Sequence, residues 1–296
     1  MMTATTLPPA LEPKALSPDR AAMRRFLRNP VAVIGAVVLV VIVSASVLAP
    51  VLSPFGPNEI DLTAIRQPPS ELHPLGTDST GRDVLSRLLY GGQVSLAVGF
   101  LAAFIAVTIG TLTGVIAGWT GGATDNIISR IIDLMLSVPP VLVVIVLAGI
   151  IGPSVPMLIA VIAGLSWPSS ARIARGVVLG LREEEFVQAA RVLGSRTGYI
   201  IRRHLVPGVL PPVTVAATLL VSEAVLLESA LSFLGAGVRP PQPSWGNMLT
   251  EAQSITVLSG MPWLWIPPGV LIAATVLSAM AVGDGLRDAI DPRKNR

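Results

Sequence analysis

Cysteine is absent from this sequence, so neither a disulfide framework nor a thiolate metal site can form. Lysine is nearly absent. Lys14 and Lys294 stand near the two ends, and neither has the G-x-x-x-x-G-K-[ST] context that cradles a nucleotide phosphate. The chain therefore binds no ATP through a P-loop of its own. Histidine is confined to His73 and His204, far apart and outside the apolar runs. An intramembrane serine or zinc protease would lack its base or its ligands. Charged residues are only 13% of the chain, against about 25% in a soluble domain. Hydrophobic residues make up 52%, and mean hydropathy is +0.71. The apolar runs are continuous and not alternating, which points to spanning helices and away from a closed barrel. The expected fold class is an all-α membrane protein.

Residues 1–30 read as a polar, Pro-rich cytoplasmic tail that turns basic at Arg24, Arg25 and Arg28. The uncharged run 31–52 is longer than the apolar core of a signal peptide and has a long polar lead-in, so it is expected to be an uncleaved first span. A second uncharged run covers 94–118. A third, 134–166, exceeds the roughly 20 residues that one spanning helix needs. Gly152, Pro153, Ser154 and Pro156 punctuate its middle. One kinked span and two spans joined by a turn are the choices, and charge separates them. Segment 172–203 carries Arg172, Arg175, Arg182, Arg191, Arg196, Arg202 and Arg203. Two spans put these arginines on the same cytoplasmic side as the basic N-terminal tail, as the positive-inside rule requires. The last runs are 213–234 and 264–283, the latter followed by Arg287, Arg293, Lys294 and Arg296. The expectation is six spans with both termini in the cytoplasm. An external loop (53–93) then precedes a five-span core (94–286) with a cytoplasmic loop (172–206), and a short cytoplasmic tail (287–296) ends the chain.

On the outer side, Val84, Leu85, Leu88 and Leu89 share one helical face, and Asp83 stands four residues before Arg87. This is the pattern of a short amphipathic helix on the membrane surface; contact with an external partner is the competing reading. Residues 239–253 read as a stiff Pro-rich outer loop, and Trp245, Trp263 and Trp265 suit an interfacial aromatic belt.

The stretch EEEFVQAARVLGSRTGYIIRRHLVPG (183–208) is a polar island between apolar runs. Phe186, Ala190 and Leu193 recur at i, i+4 and i+7, which predicts a helix with one apolar face. Gly194 is expected to end it in the left-handed conformation. Ser195 would cap a second short helix through Ile200, Ile201 and Leu205, stopped by Pro207. The arginines suit anionic lipid headgroups. Ala189 and Ala190 equally suit insertion into a groove on a soluble partner, because small side chains permit close approach. Physical grounds leave these two readings level.

The island resembles the E-A-A loop of permease subunits of ATP-binding-cassette importers. The matching residues are Gln188-Ala189-Ala190, then Gly194, then His204-Leu205-Val206-Pro207. Gln188 stands where that motif has Glu, His204 where it has Ile, and Val206 where it has Leu. Three further stretches, LGTDSTGRDVLSRLLYGG (75–92), ALSFLGAGVRPPQPSWG (230–246) and GDGLRDAIDP (283–292), are similar to signatures of the dipeptide, oligopeptide and nickel branch. Together with the N-terminal span they resemble its C-type permease subunit over nearly the whole chain. The resemblance implies a MetI-like type I importer fold with one extra N-terminal span, and a non-catalytic subunit without cofactor. It implies a B-type permease partner, two cytoplasmic ATPase subunits or one fused ATPase holding ATP and Mg2+, an extracytoplasmic substrate-binding protein, and the lipid of a bacterial inner membrane. No nucleic acid is among the expected partners. The cargo implied is a di- or oligopeptide, with nickel, glutathione and haem as other cargoes of the branch. Glu185, Gln188, Ala189, Ala190, Gly194 and Pro207 would couple the subunit to the ATPase.

Glu223 and Glu228 lie inside the run 213–234, where an acid is costly and marks function by default. Five residues apart, they point about 140° apart around a helix. One role open to them is to line the path and meet an ammonium or a cation; the other is structural pairing. An ion-driven secondary transporter is the alternative of a different class, and it would need more intramembrane ionisable groups or broken-helix repeats.

Overall fold

The computed structural model describes residues 18–290; Lys14, Lys294 and the outer parts of both tails lie outside the described residues. Helices dominate, and among the described residues the only β pairing is an isolated bridge between Thr77 and Asp83. Helix α1 (Pro18–Arg28) leads into α2 (Pro30–Val47) through Asn29. Its side-chain oxygen accepts hydrogen bonds from the N–H groups of Val31 and Ala32 at 3.1 and 3.3 Å, and Pro30 occupies the first helical position, where no N–H is needed. A short α3 (Ala49–Leu52) continues the run after a break at Leu48.

Helix α4 (Val84–Thr120) is followed by α5 (Gly122–Leu136), α6 (Pro140–Ile151) and α7 (Val155–Leu181). The island folds as α8 (Glu185–Val192) and α9 (Thr197–Ile200), the latter running through a π-turn at Ile201–Leu205 into α10 (Val206–Phe233). Short helices α11 (Trp245–Met248) and α12 (Ile255–Gly260) shape the outer loop before α13 (Ile266–Ile290). Five helical segments are long and apolar enough to cross a membrane, and six result if the bent pair α5–α6 counts as one. The expected all-helical, multi-span architecture is thus present.

Packing explains the order of the bundle. Gly110, Gly114 and Gly118 form a row at i, i+4 and i+8 along α4 that faces α7. A Cβ on Gly110 or Gly114 would come within 2.5 Å of the Trp167 or 2.4 Å of the Ala171 carbonyl oxygen. Small residues here let two long helices touch backbone to backbone, the usual solution where lipid supplies no hydrophobic drive between helices. Helix α10 packs on α4 and α13, and α2 lies along α13 at the edge. Only 22% of α2 is buried, against 39–44% for the other spans, so it is the peripheral helix.

Several boundaries differ from the sequence reading. The expected surface helix over 84–92 is not separate: those residues are the first turns of the 37-residue α4, with Val84 and Leu88 buried. The run 134–166 does divide at Gly152–Ser154, but its first half is no straight span. Pro139 and Pro140 end α5 and restart the chain as α6 with a bend of 79°. Helix α7 continues to Leu181, beyond Ser166, and its Arg172 and Arg175 find acidic partners on α5. Arg175 holds Asp125 through Nη2 at 2.8 Å, and Arg172 holds Asp133 at 2.9 Å. Pro207 does not stop a helix; it directly follows the π-turn Ile201–Leu205 inside a helical run that continues from Thr197 to Phe233.

Candidate functional site

Helix α8 begins after Glu183 and Glu184, with Glu185 as its first residue, and ends where Gly194 takes φ +75°. The Ser195 N–H donates to the Ala190 carbonyl and the Gly194 N–H to the Arg191 carbonyl, both at 3.0 Å. These two bonds are a Schellman closure, so Gly194 acts as expected. The expected cap at Ser195 is not made: Arg196 is the N-cap of α9, without a side-chain hydrogen bond.

Four contacts anchor α8. Val187 is fully buried. The Gln188 side-chain amide donates to the Arg182 carbonyl at the end of α7, at 3.1 Å. Glutamate, the family residue at this position, could not donate there when ionised. The Arg191 guanidinium stacks over Trp119 at 4.1 Å, tying α8 to the inner end of α4. His204 packs against the rings of Phe186 and Tyr199, at centroid distances of 5.5 and 6.0 Å. The buried face is therefore centred on Val187, and not on the Phe186–Ala190–Leu193 row. Phe186 leans on His204 while half exposed, and Leu193 turns outward as the Gly194 closure begins.

The opposite face is open. Glu185 and Ala189 are exposed, and Val192 and Leu193 are 87% and 84% exposed. An apolar tip rimmed by Glu185 and Gln188 projects from the end of the bundle that carries the arginine-rich segment.

The other end of the molecule is closed by a polar core that sequence reasoning missed. Asp83 caps α4, accepting from the Ser86 N–H and hydroxyl at 2.7 Å each, and meets buried His73 Nδ1 at 2.9 Å. It does not pair with Arg87, as the i, i+4 spacing suggested. Arg87 turns to Asp78 at 3.4 Å, and Arg82 holds the same carboxylate at 2.7 Å. Burial pushes the Asp78 carboxyl up, but hydrogen bonds from Arg82 and Thr80 and the Arg82 charge outweigh it, so Asp78 titrates below its ordinary value. Trp245 is not at an interface. It is fully buried, its ring N–H donating to the Leu88 carbonyl at 2.9 Å and its backbone N–H to Ser95 Oγ at 3.1 Å. Trp263 and Trp265 are half-buried against the same cluster. The signal that could have found this core was the serine spacing around Trp245 and Glu228.

Those serines separate the two glutamates. Glu228 is fully buried, and Ser95 and Ser232 donate to it at 2.8 and 2.7 Å. Ser95 also receives the Trp245 N–H, and Ser232 receives the Val238 N–H at 3.1 Å, so one carboxylate joins α4, α10 and the outer loop. Glu223 is exposed on the other side of α10 and has no hydrogen-bond or ion-pair partner among the described residues.

Residues 110–296 match the family described as binding-protein-dependent transport system inner membrane component. The chain belongs to that family. Residues 17–69 match the N-terminal transmembrane domain of oligopeptide transport permease C, which accounts for the peripheral α2. The chain is similar to the oligopeptide transport system permease protein OppC of Escherichia coli K12, 43% identical over 96% of this chain and 94% of the relative. It is 39% identical to the dipeptide transport system permease protein DppC of Alkalihalophilus pseudofirmus over 97% of this chain and 93% of the relative. A solved structure of the inward-facing MetNI methionine ABC transporter contains a chain of the same fold, with TM-score 0.55 and 20% identity over 69% of this chain and 96% of that one. The permease is thus a multi-pass inner-membrane, non-catalytic subunit of an ABC importer, with the MetI-like core and the extra N-terminal span expected from sequence.

Proposed function

We propose that this permease imports dipeptides or oligopeptides, forming half of a translocation path with a B-type permease and taking its drive from cytoplasmic ATPases that dock on α8. The observation that carries the docking is the open tip of α8. Val192 and Leu193 are exposed on a helix already fixed in direction by Val187, Gln188, Arg191 and the Gly194 closure. Glu185, Gln188, Ala189 and Ala190 line or support that tip, Gly194 sets its angle, and Pro207 starts the helix that receives its motion. A rigid lever with an apolar end suits a groove on a soluble protein better than a lipid headgroup, which would favour a basic end.

In this mechanism ATP and Mg2+ reside on the ATPases. ATP-driven closure of the ATPase pair pulls the docked tips together, the two permeases rock, and the path opens to a loaded binding protein outside; hydrolysis resets them. Both chain termini lie in the cytoplasm by the arginine distribution. The cargo class rests on the names of the relatives, which transport dipeptides and oligopeptides.

The lack of native cysteine makes the test clean. Val192→Cys in the assembled transporter is expected to cross-link to the ATPase and to resist a bulky maleimide. Equal labelling in the assembly and in the isolated permease would sink the docking. For cargo, di- and oligopeptides on the binding protein are expected to stimulate ATP hydrolysis; stimulation by nickel alone would overturn the peptide reading.

A further inference from the structure

Glu223 sits roughly 15 Å from the outer end of α10 at 1.5 Å per residue, about half the ~30 Å thickness of a bilayer's hydrocarbon core. Its face of the helix carries Leu219, Leu226 and Ala230, all exposed and spaced at four, three and four residues. Lipid cannot cover this stripe, because an unpaired carboxylate at mid-span faces the bundle interior or a wet cavity. The buried Glu228 is fully served by serines, so the two acids are not interchangeable. Just inward of Glu223 the same stripe opens into a groove of about 400 Å³ lined mostly by apolar side chains, among them Ile173, Pro211, Pro212, Val215 and Leu219, with Arg287 also in its lining. Its upper lip, Leu219, lies one helical turn from Glu223, about 6 Å along the axis. That matches two extended residues, at roughly 3.5 Å each.

We infer that this stripe is the wall of the translocation path, with Glu223 receiving the free amino terminus of a peptide in transit while an apolar side chain of the peptide enters the groove. The inference rests on the peptide-import reading and adds to it a binding residue and a chemical requirement. The carboxylate supplies the charge-assisted contact for the amino terminus, on a wall whose groove is otherwise apolar except for Arg287. A contact of this single kind holds the cargo weakly enough to release it. Glu228, on the opposite side, fastens the outer loop and does not meet cargo.

The test uses the assembled transporter with its second permease, ATPases and binding protein in proteoliposomes, and radiolabelled tri-alanine as probe. A photo-cross-linking residue at Leu226 is expected to capture labelled peptide during ATP turnover, and one at Val37 on the peripheral α2 is not. Glu223→Gln should lower uptake about tenfold, near the lower end for losing a hydrogen bond to a charged group. The subunits should still copurify in wild-type proportion, and Glu223→Asp should recover part of the loss. Capture at Leu226 of the second permease or of lipid alone overturns the inference, as does wild-type uptake by Glu223→Gln. If the unaltered transporter imports no peptide, the peptide reading falls and this inference falls with it. If it imports peptide while Leu226 captures none, only this inference falls.

Discussion

The two ends of this permease are built on opposite principles. The outer end is closed by polar groups: His73 with Asp83, Asp78 with Arg82 and Arg87, and Glu228 with Ser95 and Ser232, the last tied to the buried Trp245 through Ser95. The inner end offers α8, eight residues held by one buried valine, one amide bond and a few ring contacts. The difference teaches what each end is for. Buried polar groups tied by several hydrogen bonds fix one arrangement of the chain. An exposed apolar tip leaves part of its free energy unrealised until something covers it. On the function proposed above, the outer end is the fixed frame and the inner end the surface that a partner covers.

That contrast can be broken from either side. The largest effect is expected from Trp245→Ala, which empties the centre of the outer cluster and should destabilise the solubilised protein by about 3–5 kcal/mol. Hydrogen exchange should rise across 235–265 and stay unchanged over α8. A matching rise in α8 would mean that the two ends are not independent. Glu228→Leu should come next, at about 1–3 kcal/mol, because Ser95 and Ser232 lose a buried acceptor. Thermal unfolding in detergent measures both losses.

Gly194→Ala should cost about 1 kcal/mol locally, since φ +75° disfavours a Cβ although space around it is open. Exchange should rise in α8 alone, and ATP hydrolysis should continue with reduced uptake. Ala189→Arg should change stability by no more than about 0.5 kcal/mol, as surface substitutions do. It should still abolish ATPase docking, read as lost copurification. Normal docking by this variant would show that the open face is not the contact. The smallest effect is electrostatic. Asp78 titrates below its ordinary 3.8, so its contribution is complete above that value and is lost as pH falls through the lower, folded-state value. Acid below pH 3.8 should therefore loosen the outer frame before α8; Asp78→Asn should remove that pH dependence while leaving α8 exchange unaltered.

Gly194 was legible in sequence because a left-handed helix end is a local backbone demand that glycine alone meets cheaply. The turn at Gly152–Ser154 was legible for the same reason. The bend at Pro139–Pro140 was also local and was passed over inside an apolar run whose length drew the eye. Trp245 was misread because an aromatic in a Pro-rich loop looks the same whether it lies at an interface or is folded back onto α4. Asp83 and Arg87 had the right spacing for a pair, but the capping position and Asp78 competed for them and won. The roles of Gln188 and His204, where the motif departs from its family, became clear only with Arg182, Phe186 and Tyr199 around them.

The sequence by itself determined the solvent this chain folds in, the number of its apolar runs and the family loop at 188–207, because hydropathy and short spacings are properties of the chain alone. Only the tertiary structure decided which of two glutamates five residues apart is buried among serines and which is open. That choice depends on what the other helices bring to each side of α10, and spacing along one helix carries no record of its neighbours.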